Sequence, residues 1–91
     1  MMVKKLFKVT NENGIHARPA TTLVNEAMKY ESDITLTALK KSIDMKSIMG
    51  VMSLGIYSGT TIEVKANGKD EAEAVEGIKE RLVELNLAKE I

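Results

Sequence analysis

Residues 11–20 read Asn-Glu-Asn-Gly-Ile-His-Ala-Arg-Pro-Ala and contain the only histidine and the only proline of the chain. An imidazole can work as acid, base, metal ligand or nucleophile. With no cysteine and one histidine, only scattered carboxylates could accompany it on a metal ion, so no metal site is expected. His16 lies just ahead of an apolar run, where a helix should begin. If Ala17 opens that helix, His16 takes the cap position, and the backbone N–H groups of Ala17 and Arg18 point outward because first-turn donors have no helical acceptor. Pro19 fits a first turn, although a residue before proline resists helical dihedrals, so Arg18 should distort the start of the helix. Free amides, the positive end of a helix dipole and the Arg18 guanidinium together suit a phosphate-sized anion. A neutral imidazole beside such a cradle suits phosphoryl transfer, with His16 as nucleophile and the Ala17 and Arg18 amides as charge stabilisers. From residue chemistry alone, a solvated or locally capping histidine beside an ordinary surface arginine is the alternative.

The spacing of apolar residues supplies the elements that would hold this stretch. Val3 to Val9 reads as a strand, with Phe7 and Val9 on one face, Lys8 on the other, and Leu6 interrupting the alternation. Ala20, Leu23, Val24, Ala27 and Met28 form a helical stripe. Ile34, Leu36 and Ala38 alternate with threonines, and Ile43 with Met45 marks a short partner strand. The Leu39-Lys40-Lys41 connection between them has no Gly, Asn or Asp, so an irregular turn is expected. Ser47 to Leu54, closed by Gly55, has the cap and stop residues of a two-turn helix. Thr60 to Ala66 alternates again. Asp70 and Glu73 have capping-box spacing ahead of Val75, Ile78, Leu82 and Leu85.

The order β-α-β-β-α-β-α predicts an α+β, two-layer open-faced sandwich: a four-stranded antiparallel sheet with three helices on one face and Thr, Lys and Glu on the other. No linker, repeat or low-complexity tract divides residues 1–91, which read as one domain. Leu23, Val24, Met28, Ile62, Val64, Ile78 and Leu82 read as packing. A short helix on a sheet buries one side only, so the five apolar residues among 48–54 exceed what the core can take. Ile48, Met49 and Met52 are therefore candidates for a docking patch.

Composition excludes several classes. Thirteen Lys plus Arg offset thirteen Asp plus Glu, and two Tyr with one Phe are too few for base stacking, which argues against direct nucleic-acid binding. Neither G-x-x-x-x-G-K-[ST] nor G-x-G-x-x-G occurs, so no nucleotide cofactor is expected. No stretch has the length of a membrane span or the form of a signal peptide, so the expectation is a cytoplasmic protein without membrane contact.

Gly14-Ile15-His16-Ala17-Arg18-Pro19-Ala20 resembles the active-site signature of the HPr family, the histidine-containing phosphocarriers of the bacterial phosphoenolpyruvate-dependent sugar phosphotransferase system. Residues 46–55, Lys-Ser-Ile-Met-Gly-Val-Met-Ser-Leu-Gly, resemble the regulatory serine segment of its Gram-positive members. The likeness covers essentially the whole chain, and only the Leu39-Lys40-Lys41 turn departs from the glycine-containing turn common in the family. The resemblance implies a monomeric carrier that has no turnover of its own. Enzyme I would phosphorylate Nδ1 of His16, and the A component of a sugar permease would take the group on. It implies also that Ser47 is phosphorylated by the HPr kinase/phosphorylase, creating a corepressor for the catabolite control protein in carbon catabolite repression. Ile48, Met49 and Met52 would then meet Enzyme I, the permease components and the kinase. A regulatory paralogue that acts only through protein binding is the alternative.

Overall fold

Alternation in the first strand decides how the sheet faces. In β1 (Met2–Val9) Phe7 and Val9 are buried while Met2, Lys4, Leu6 and Lys8 are exposed, so Leu6 belongs to the outer face and the alternation holds. The computed structural model describes residues 2–91. After β1 come α1 (Ala17–Ala27), β2 (Asp33–Ala38), β3 (Lys41–Asp44), α2 (Ile48–Ser53), β4 (Thr61–Asn67), α3 (Glu71–Glu84) and β5 (Ala88–Glu90). The sheet order is β3-β2-β4-β1-β5, and every pairing is antiparallel. Helices α1 and α3 pack against each other, α3 also against β1 and β4, and α2 against α1 and β3. One apolar cluster fills the space beneath them, with Phe7, Leu23, Leu36, Val64, Ile78 and Leu82 fully buried.

The sheet has five strands, not the expected four. The amphipathic pattern had suggested a helix running through Leu85, but α3 stops at Glu84 and Leu85 is its C-cap. Asn86 follows at φ 53°, and the Asn86 and Leu87 amides donate to the carbonyls of Val83 and Leu82. This is a Schellman stop with asparagine in the left-handed position. It turns the chain so that Leu87 and Ala88 are buried and β5 joins β1, pairing Val9 with Ala88 and Phe7 with Glu90. The Glu90 carboxylate receives Lys5 at 3.1 Å and Lys79 at 2.9 Å, which ties the last strand to both layers.

Three local expectations are also corrected. Met28 ends the α1 stripe but is 62% exposed, because it caps the helix after the chain has begun to leave the core. Asp70 makes no side-chain cap bond. Its carboxylate instead accepts the Glu31 and Ser32 amides, each at 3.0 Å, and the Ser32 hydroxyl, joining the start of α3 to the loop before β2. The β2–β3 connection is a tight two-residue turn: Ala38 pairs with Lys41, while Leu39 (φ 52°) and Lys40 (φ 68°) both occupy the left-handed region. That is the geometry of a type I′ hairpin, favoured by strand twist even where the residues disfavour it.

Between α1 and α3 lies a buried carboxylate that the apolar pattern did not reveal. Glu26 is 6% exposed and accepts the Tyr30 hydroxyl at 2.7 Å and Lys29 at 3.0 Å, with Arg81 Nε at 3.8 Å. Burial alone would push its carboxyl up, but the Tyr30 and Lys29 hydrogen bonds and the two cations outweigh that and hold it below its ordinary value. Burial and the carboxylate together push the Tyr30 hydroxyl up to about 12. Gly77 on α3 leaves room for this pair, since a Cβ there would overlap the Tyr30 hydroxyl.

Candidate functional site

Helix α1 begins where the sequence places it. Ala17 is its first residue and His16 its N-cap, with extended dihedrals (φ −101°, ψ −171°) and a carbonyl that accepts the Ala20 amide at 2.9 Å. The histidine side chain makes no capping bond and is exposed. Its role at the cap is therefore positional: the ring stands at the helix mouth and is free to meet a partner. Pro19 occupies the third helical position, where an amide would have been an orphan anyway. The remaining early donors, the amides of His16, Ala17 and Arg18, have no acceptor among the described residues. Arg18 is within regular helix, so the expected distortion before proline is absent.

Two anchors fix this start. Ile15, just before the cap, and Ala20 in the first turn are both buried in the core, the arrangement of a hydrophobic staple. Gly14 stands at φ +66°, and a Cβ there would overlap the carbonyl oxygen of Ile56 and press on Tyr57 Cα. The Ile15 amide donates to that same Ile56 carbonyl at 3.2 Å. The sequence shows a glycine before the histidine, but the loop it must touch comes much later in the chain.

A depression of about 240 Å³ opens beside the histidine, lined by Asn11, His16, Arg18, Pro19, Thr22, Leu85 and Leu87. The end of α3 thus forms its far wall, shaped by the Schellman turn at Asn86. Sequence reasoning did not find Asn11, Thr22, Leu85 or Leu87, although Asn86 after an amphipathic run was a usable stop signal. Among the described residues Arg18 forms no ion pair, so its guanidinium is available to an incoming anion. The combination of unpaired amides, a cation and an exposed imidazole can bind a tetrahedral anion and present a nitrogen lone pair to it.

The second stretch also lies on a helix start. Ser47 caps α2, its Oγ accepting the Gly50 amide at 3.0 Å. Asp44 shapes the approach, its carboxylate accepting the Lys46 amide at 2.9 Å and its carbonyl the Ser47 amide at 3.0 Å. Within and after this short helix Val51 and Leu54 are buried, whereas Ile48, Met49 and Met52 are 43%, 83% and 40% exposed. Ser47 does not line the depression beside His16. Among the described residues no helix is long and apolar enough to cross a membrane.

Comparison with known proteins agrees with this geometry. The family profile described as "PTS HPr component phosphorylation site" matches residues 3–84. A histidine-containing phosphocarrier protein of Mycoplasma superposes with a TM-score of 0.92 at 40% identity, over 93% of this chain and 97% of its own. The phosphocarrier protein HPr of Bacillus anthracis gives a TM-score of 0.82 at 40% identity, over 88% and 95%. The catabolite repression protein Crh of Bacillus subtilis, solved as a domain-swapped dimer, gives 0.72 at 40% identity, over 85% and 88%.

Proposed function

This chain belongs to the HPr phosphocarrier family of the phosphotransferase system, whose members carry phosphoryl groups and are not catalytic enzymes, and from that premise we propose that His16 is the atom-level carrier in a sugar-uptake relay. In the proposed cycle Nδ1 of His16 attacks the phosphoryl group on a histidine of Enzyme I. The donor P–N bond breaks, its electron pair returning to the donor ring, as the new P–N bond forms. Phosphorylated His16 then hands the group to a histidine of a permease A component by the same in-line displacement. Arg18 and the amides of Ala17 and Arg18 neutralise the oxygens of the moving group. The observation that carries the reading is the exposed, uncapped imidazole of His16 beside unpaired first-turn amides. The open setting matters too, since a carrier that stabilised its phosphohistidine strongly would not pass it on.

Ser47 is the proposed regulatory site, phosphorylated by the HPr kinase/phosphorylase so that the protein becomes a corepressor for the catabolite control protein. Because Ser47 already caps α2, its phosphate would sit at the positive end of that helix and alter surface charge more than fold. Backbone NMR shifts should then change around α2 and little elsewhere. Ile48, Met49 and Met52 form the proposed docking patch for Enzyme I, the permease components and the kinase. In this reading residues 1–91 act as one monomeric domain in the cytoplasm, without cofactor or metal.

The deciding experiment is incubation with phosphoenolpyruvate, Enzyme I and Mg²⁺. Acid-labile phosphate should appear on the protein and disappear in His16→Ala; label that persists in the variant removes His16 from the role. The likeness to Crh at 40% identity favours one second reading, a regulatory paralogue without phosphoryl flux. Restored sugar uptake in a strain lacking its own HPr assigns the carrier role, and failure there combined with binding to a repressor assigns the regulatory one.

A further inference from the structure

The face of the sheet turned away from the helices carries an ordered charge pattern. Along β1, Lys4, Leu6 and Lys8 point to this side, and the register sets Lys4 opposite Lys65 of β4 and Lys8 opposite Lys89 of β5. Like charges directly across a strand pair oppose folding. Between the two lysine pairs lies one carboxylate, Glu63, opposite Leu6 and 3.9 Å from Lys4 Nζ. Four cations thus bracket a single acid on the sheet face away from the helices, in a chain whose net charge is zero. Apart from the long Lys4–Glu63 approach, none of the four lysines forms an ion pair among the described residues, so the isolated fold bears the like-charge cost with little return.

Its spacing points to a kind of occupant. The pairs stand four residues apart on β1, roughly 13 Å at the rise of a strand. Carboxylates eight residues apart, which fall within one broad face of a helix, are about 12 Å apart along its axis. Glu63, midway, disfavours a uniformly anionic surface such as a phosphate backbone or lipid headgroups, and matches a partner that is basic or neutral at its centre. We propose that this open face docks an acidic helix of a partner protein, two of its carboxylates engaging the Lys4–Lys65 and Lys8–Lys89 pairs around Glu63. The surface is on the layer opposite the His16 helix mouth, so both can be occupied at once.

The test is an NMR titration of the intact ¹⁵N-labelled protein with a capped, alanine-based helical peptide bearing glutamates eight residues apart and a lysine midway. Saturable shifts confined to β1, β4 and β5, weakened at least tenfold by Lys65→Thr with Lys89→Thr, are expected. The milder Lys65→Gln should weaken binding in the same direction, and His16→Ala should leave it unchanged, so this outcome is independent of the relay. The proposal is overturned by an absence of saturable shifts, by equal shifts with the charge-reversed peptide, or by shifts centred on α1 and α2. Tighter binding of phosphatidylglycerol vesicles than of the peptide at this face would assign it to lipid, and concentration-dependent shifts there without peptide would assign it to a second copy of the chain. Either result overturns the proposal.

Discussion

Gly14 controls the direction in which the chain leaves its loop for His16. Its left-handed dihedral and its contact with the Ile56–Tyr57 backbone leave no space for a side chain. Gly14→Ala should lower stability by more than about 1 kcal/mol, read as a drop in urea midpoint, and, in the proposed relay, should slow phosphoryl acceptance from Enzyme I even where the variant is folded. An unchanged midpoint would show that the two loops are not locked together. His16, Arg18 and Pro19 were readable because a helix start is a local event: the cap, the missing amide donor and the apolar stripe fall within a few residues. The reason for Gly14 was not, because its steric partner is distant in sequence. Glu26 was hidden for a similar cause, its partners Tyr30, in the connection after α1, and Arg81, on α3, reading as ordinary surface residues in one dimension.

At the scale of elements, turns and caps show where local preference and tertiary demand disagree. The β2–β3 turn places Leu39 and Lys40 in the left-handed region, which suits glycine or asparagine better. Lys40→Gly should stabilise the protein by roughly 0.5–1 kcal/mol, seen as a raised urea midpoint with an unchanged denaturant slope. A lowered midpoint would show that the lysine side chain contributes more than its backbone costs. Asp70 illustrates the opposite case, a cap residue recruited by another segment. The Ser32 hydroxyl and the Glu31 amide, then the Ser32 amide, hold its carboxyl down to about 2, well below its ordinary value. A depressed carboxyl contributes stability that is complete above the unfolded value near 3.8 and is lost as pH falls toward about 2. Asp70→Asn should therefore be less stable than the parent at pH 6, with the gap closing between about pH 4 and pH 2. A gap that stays constant across that window would remove the carboxylate from the account. Capping-box spacing alone could not forecast this use, because it says nothing of Ser32.

For the whole molecule, strong periodicity made the order of the first seven elements legible, and the eighth was lost. Three residues of β5 are too few for an alternation signal, and a continuous amphipathic run masked the stop at Asn86. Removing residues 88–91 should take away the partner of Phe7 to Val9 together with the Glu90 ties to Lys5 and Lys79. The truncated protein should unfold at lower urea and form dimers or larger species through its bared β1 edge, detectable by analytical ultracentrifugation. A truncated chain that stays monomeric with an unchanged midpoint would make β5 an ornament of the fold.

The first strand is the inner member of this sheet whose neighbours come last. β1 pairs only with β4 and β5, both near the far end of the chain. During synthesis, the opening segment emerges long before either companion exists, and its apolar side has nothing of the final sheet to rest on. Closure of the sheet at β1 therefore waits until β4 and β5 have both been made, and until then the Phe7 and Val9 side of the strand lacks its final neighbours.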